Sequence, residues 1–221
     1  WEKLESAITI LSEKGKVPIA VALEDKPHCW IEHLILSQGG ASTYENMDIT
    51  AVKEDWIKGL EYFKVLYDLG AFARDTNSID NDTALEMFIG GDAAMLLDGN
   101  ELMDRFEDLE DIIMLPFPAV PGGRKRPDDK IGGFEAGWYI TKKAWDDPLK
   151  RSAMVKFIEK MTNAETIGRS TLTERLSKNL IMPIESWLPK SAWEALVSEI
   201  PDIATGRDDA RDVVEKVMML Y

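Results

Sequence analysis

Cysteine is nearly absent from this chain. Cys29 stands alone, so no intramolecular disulfide is available and a disulfide-stapled scaffold is excluded. Positive charge is in the minority: 26 basic residues face 40 acidic ones, a net charge of −14 with an isoelectric point near 4.6. Nucleic acids and anionic membranes need positive surface, so they drop out as partners. No apolar run approaches the roughly 18 residues that cross a bilayer. The sequence also lacks G-x-x-x-x-G-K-[ST], G-x-G-x-x-G and G-x-S-x-G, the signatures of phosphate cradles, dinucleotide sites and nucleophile elbows. There is no internal repeat and no low-complexity segment.

What is present is an ordinary globular composition, 45% hydrophobic over 221 residues, enough for one large domain or two small ones. The chain is organised around Gly90–Thr141. Three short apolar runs there, Ala93–Leu97, Ile112–Leu115 and Gly137–Ile140, have β-like composition and are bounded by Gly, Pro and Asp. Asp98-Gly99-Asn100-Glu101 follows the first run, and Gly133-Phe134-Glu135 precedes the third. Buried strands whose ends carry polar and aromatic residues on glycine-rich turns are a common lining for a ligand crevice.

Around that stretch the pattern is mostly helical. Leu4, Ala7, Ile8 and Leu11 predict an amphipathic helix over Trp1–Lys14. Val17–Leu23 reads as a buried strand, and Pro27 sits where a helix through about Ser37 begins, a position that tolerates a missing N–H. Trp56, Leu60, Phe63, Leu66 and Tyr67 predict a core-facing helix, and Thr83–Ile89 a short one closed by Gly90-Gly91. A short helix is expected at Glu101–Glu110, and Arg124–Lys130 reads as a solvated charged loop. Asp146-Asp147-Pro148 opens an amphipathic helix, with an aspartate as its N-cap, carrying Ala153, Met154, Phe157, Ile158 and Met161. From Ala164 onward the pattern is helical, with Pro183, Pro189 and Pro201 as breaks; Ala210, Val213, Val214, Val217 and Leu220 face inward on a closing helix.

Three chemistries were open on these residues. His28, Cys29, Glu32 and His33 lie together, but a zinc centre needs three or four converging ligands and no second cluster supports them. Cys29 with a histidine on the same helix lacks the opposed base and oxyanion hole of nucleophilic catalysis. Asp98, Glu101 and Glu135 could face one cleft as the carboxylate pair of a glycoside hydrolase, which needs separations of about 5–9 Å. Carboxylates and aromatic rings also bind sugars without turnover. No metal, no cofactor and no catalytic residue is assigned.

Several segments carry a resemblance. "G-K-V-P-I-A-V" after the first helix, "A-L-E-M-F-I-G-G-D-A-A-M-L-L-D-G-N", the Gly132-Gly133 to Met161 segment and "Leu180-Ile-Met-Pro-Ile-Glu-Ser-Trp187" follow one another in the order found in the extracellular solute-binding proteins, family 1, of ABC importers. The second of these resembles that family's "F-x-x-G-x-A-A-M-x-x-x-G-x-W". The resemblance implies an α/β fold with two lobes of the periplasmic-binding-protein type (type II), truncated at its N-terminus. Residues 1–95 would form the main part of the second lobe, 96–165 would contribute to the first, and 166–221 would be a helical return to the second. It also implies a monomer, periplasmic or extracellular (a lipoprotein if Gram-positive), that holds a mono- or oligosaccharide between its lobes and delivers it to the permease transmembrane subunits. The ligand residues so implied are His28, Trp30, Asn100, Glu101, Phe134, Glu135 and Trp187, while Trp138 and Trp193 read as core. Glu101 stands where the family often has an aromatic residue. A glycoside hydrolase or a ligand-sensing interaction module on the same scaffold are the alternatives.

Overall fold

A computed structural model describes residues 1–45, 48–99, 102, 105–106, 112–132, 139–161 and 179–221. The architecture is α/β and mostly helical, in two compact units: Trp1–Pro127 with Met182–Tyr221, and Asp128–Ile181.

The larger unit begins with α1 (Glu2–Glu13) and β1 (Val17–Ala20). Helix α2 (His28–Gly39), the single turn α3 (Ser42–Glu45), α4 (Ile49–Asp68) and α5 (Asn81–Ile89) follow, then β2 (Ala93–Leu96). Strands β1 and β2 pair in parallel, Val17 with Ala93 and Ile19 with Met95, and Phe72 bridges Ile19 from the other side. The predicted strand over Val17–Leu23 is therefore shorter as a ladder. Val21–Leu23 stays buried beside the 72–76 segment instead: Leu23 N–H donates to the Thr76 carbonyl and the Thr76 hydroxyl donates to that of Val21. Small residues let α5 lie close on this pair, with Ala20, Ala22, Ala84 and Ala93 buried together under Met87 and Phe88.

Helix α4 holds the second half of the core. The Asp48 carboxylate caps it by accepting from Thr50 N–H, which satisfies one of the donors orphaned at a helix start. Trp56, Leu60, Phe63 and Leu66 are fully buried along its stripe, as their spacing predicts. They pack against α2 on one side and, on the other, α8 (Lys190–Thr205) and α9 (Ala210–Met218). Gly59 sets how closely α2 and α4 approach: a Cβ there would sit 2.8 Å from the Leu34 carbonyl oxygen and 2.9 Å from Ile35 Cα. Gly59→Ala is expected to lower stability, because overpacking costs about 1–3 kcal/mol and exceeds the ~1 kcal/mol that leaving glycine returns in a helix. A thermal melt checks the sign. A raised midpoint would mean the two helices separate without penalty.

The closing helix keeps Ala210, Val213, Val214 and Val217 buried, but Leu220 is 44% exposed because α9 ends at Met218. Pro201 does not break α8. It lies inside the helix, buried, and the Thr205 hydroxyl donates to its carbonyl; only the bond Pro201 cannot donate is missing. Ile112–Leu115 forms no strand despite its apolar run, and Ile113 and Leu115 are exposed. Most of the expected 101–110 helix lies outside the described residues.

The smaller unit pairs β3 (Asp129–Ile131) in parallel with β4 (Asn179–Ile181), so the residues after 178 open as a strand where a helical pattern was expected. It also carries α6 (Lys142–Asp146) and α7 (Pro148–Met161). Asp147 caps α7 by accepting from Leu149 and Lys150 N–H. The apolar stripe of α7 is not buried here: Met154, Ile158 and Met161 are half-buried, while Ala153 and Phe157 are exposed. The third run of the organising stretch, Gly137–Ile140, is described only at Tyr139 and Ile140, which form no strand.

Candidate functional site

Parallel strands point their carboxyl ends the same way, so the segments leaving β1 and β2 emerge at one edge. Asp25, Lys26, Pro27 and His28 leave the first, and Asp98 and Gly99 leave the second. The 72–80 segment delivers the start of α5 to the same edge. These segments are tied together there. Lys26 Nζ lies 2.7 Å from Asp98 Oδ1, with the Asp98 side chain only 5% exposed. The second carboxylate oxygen of Asp98 is 3.5 Å from Asn81 Nδ2, and Asn81 N–H donates to Asp25 Oδ2 at 2.8 Å. Gly99 N–H also donates to Asp98, closing the turn after β2.

Helix α2 opens at this edge with Pro27 at its cap and no side-chain cap. Its N-terminal end carries the positive pole of the helix dipole, which favours electron-rich groups. His28 is half-buried at that opening. Two positions further on, about 200° around the helix, Trp30 points the other way. It is 3% exposed, and Phe72 and Phe117 meet it edge to face at 5.7 Å each. In this structure the Trp30 ring is core, behind the edge rather than on it. Trp187 belongs to a different cluster, half-buried against Trp56 at 6.3 Å and Tyr221 at 6.2 Å. Trp193 is buried, in line with its reading as core. Asn100, Glu101, Phe134, Glu135 and Trp138 lie outside the described residues.

The remaining members of the 28–33 group do not converge on a metal. Glu32, 3% exposed, turns to the Ile184–Ser186 turn and accepts from Glu185 N–H at 3.1 Å. Burial pushes its carboxyl up to about 7, against the opposing effect of the Ile184 and Glu185 amides. The His33 imidazole lies against Phe117 at 5.3 Å, with Nδ1 2.8 Å from the Cys29 carbonyl. Burial, helped by the charge of Lys125, lowers it to about 4. Among the described residues, Glu199, Asp202 and Asp208 do bring carboxylate oxygens within 4.8 Å of one another. Lys216 and Arg207 already pair with Glu199 and Asp202.

Neither Lys26 nor Asn81 is among the ligand residues expected from the sequence; the signal that could place them is position, one after a strand and the other at a helix start. The edge offers charged and amide donors and acceptors of the kind that pair with hydroxyl groups. Asp98 is taken up by Lys26 and Asn81, so it is positioned to orient neighbours.

No family model and no curated protein matches the chain. Solved structures do. The chain superposes on a chitin oligosaccharide binding protein with a TM-score of 0.79 at 18% identity, covering 100% of this chain and 63% of that one. A protein from work on xylan utilisation by the thermophilic bacterium Caldanaerobius polysaccharolyticus gives 0.75 at 18% identity, covering 99% and 64%. A probable secreted solute-binding lipoprotein from Streptomyces coelicolor gives 0.72 at 17%, covering 99% and 63%. This chain thus has the fold of proteins described as binding solutes and oligosaccharides. It spans less than two thirds of the length of each. Among the described residues, no helix is long and apolar enough to cross a membrane.

Proposed function

We propose that the chain is part of an extracytoplasmic solute-binding protein of an ABC importer, of the sugar-binding type. It would bind a mono- or oligosaccharide reversibly and make or break no bond. The observation that carries this reading is the convergence of Lys26, Asn81 and Asp98 beside His28 at the carboxyl edge of a parallel strand pair. That convergence sits on a fold shared with a chitin oligosaccharide binding protein.

Residues 1–95 and 166–221 are proposed as most of one lobe and 96–165 as a contribution to the other, on the two-lobed plan that the sequence resemblance implies. Closure of such lobes on a solute is driven by contacts made only in the closed state. His28, Asn100, Glu101, Phe134, Glu135 and Trp187 are the proposed contacts, with Trp30 bracing the start of α2 from the core. A secreted, lipid-anchored location is supported by the Streptomyces neighbour's description. Delivery to permease subunits rests on the sequence resemblance.

The test is a thermal-shift screen of the full-length protein against mono- and oligosaccharides, since a ligand that binds only the folded state raises the melting temperature. One sugar is expected to give a clear upward shift that Asp98→Asn reduces. A folded sample that responds to none of a broad sugar panel would remove carbohydrate as the ligand class.

A further inference from the structure

The segment Pro183–Leu188 is a short 3-10 turn between β4 and α8, and it carries Trp187. A carboxyl group far away in sequence holds it. Glu32, inside α2, places Oε1 3.1 Å from the amide of Glu185, while its Oε2 is buried and finds no partner among the described residues. A buried charge with an unsatisfied oxygen is expensive, whereas a neutral carboxylic acid in the same place is tolerable. Burial favours the neutral form and outweighs the Ile184 and Glu185 amides and the Tyr44 hydroxyl, which favour the ionised one. From α3 the Tyr44 hydroxyl donates at 2.6 Å to the Glu32 main-chain carbonyl, and from the turn itself Glu185 adds a like charge. On its own helix, His33 is engaged with Phe117 and Cys29. No cation faces the carboxyl from α3, α4 or the turn among the described residues.

We propose that Glu32 is a proton-operated latch on Pro183–Leu188, holding the turn docked while its carboxyl is neutral and loosening it once the carboxyl ionises. The direction follows from linkage. The docked carboxyl titrates near 7 and a solvated one near 4.5, so the docked turn is fully favoured below 4.5 and loses that advantage as pH rises through 7. Opening solvates Glu32 and frees the Ile184 and Glu185 amides, along with the contacts of Trp187 to Trp56 and Tyr221. The latch acts within the larger unit, whatever solute the protein binds.

Hydrogen exchange of the 184–188 amides in the full chain tests this, from pH 5 to 8.5 and corrected for intrinsic rates. Protection of the Glu185 amide is expected to fall on the order of 100-fold across that range, most of it below 7, and to level off above 7. Glu32→Gln keeps the shape without the charge and is expected to make protection independent of pH. Glu185→Gln, at an exposed position, folds normally and is expected to move the levelling-off to lower pH. Constant wild-type protection from pH 5 to 8.5, or a pH dependence that survives Glu32→Gln, overturns the latch. If Glu32→Gln does not fold, an unmoved levelling-off in Glu185→Gln does so.

Discussion

Trp56→Ala is expected to remove about 3–5 kcal/mol of stability, the largest loss foreseen for any single side chain here. Trp56 has no exposed surface, sits mid-stripe on α4, and tilts against Trp187. Truncation leaves a cavity between α4 and the helices packed on it, in a core too dense to collapse around it. One detail separates size from chemistry. The indole Nε1 is buried without a partner, which is a standing penalty of about 1–3 kcal/mol. Trp56→Phe removes that donor along with one ring, so it is expected to cost distinctly less than its lost volume suggests. Urea unfolding followed by far-UV circular dichroism gives both numbers. A loss under about 1 kcal/mol for Trp56→Ala would contradict the packing described for α4.

The second large effect concerns two neighbours on α2 whose ionisation works in opposite directions. His33 titrates near 4 when folded and 6.5 when exposed, so its contribution is present above 6.5 and is lost as pH falls through 4. Glu32 titrates near 7 when folded and 4.5 when exposed, so its contribution is present below 4.5 and is lost as pH rises through 7. Between 4.5 and 6.5 the two slopes oppose, each about 1.4 kcal/mol per pH unit, and wild-type stability changes little on their account. Single variants uncover each slope. Relative to wild type, His33→Gln is expected to lose about 3 kcal/mol between pH 4 and 6.5. Glu32→Gln is expected to gain about 3 kcal/mol between pH 4.5 and 7. Denaturant titrations at half-unit pH steps yield both difference curves. Two flat curves, or two of the same sign, would exclude the opposed pair.

The parts of the fold that follow from local pattern were legible in the sequence. Pro27 before α2, the stripe from Trp56 to Leu66, an aspartate cap just before Pro148 of α7 and the inward valines of α9 depend on neighbours within a turn or two. What failed depended on distance. Ile112–Leu115 has strand composition, but a strand also needs an edge to pair with. Pro201 is accepted inside α8 because surrounding packing outweighs one missing hydrogen bond. The site divides the same way. His28 could be placed by its helix start and Asp98 by its strand end. The Lys26–Asp98 pair and the role of Asn81 exist only because β1 and β2 lie side by side. Trp30 shows the limit of reasoning by proximity: two residues from His28 along the chain, it lies on the opposite face of the helix.

Both ladders described here join distant stretches, Val17 with Ala93 and Asp129 with Asn179, and both run parallel. Neither can start as a hairpin, so each must wait for a long loop to close before its first hydrogen bond forms. A ribosome-bound chain that has not yet extruded Leu96 has only the 71–72 segment to bond to β1, and the edge that gathers Lys26, Asn81 and Asp98 does not yet exist. Assembly of this edge is therefore a late, slow event in the folding of the larger unit, following the local helices rather than guiding them.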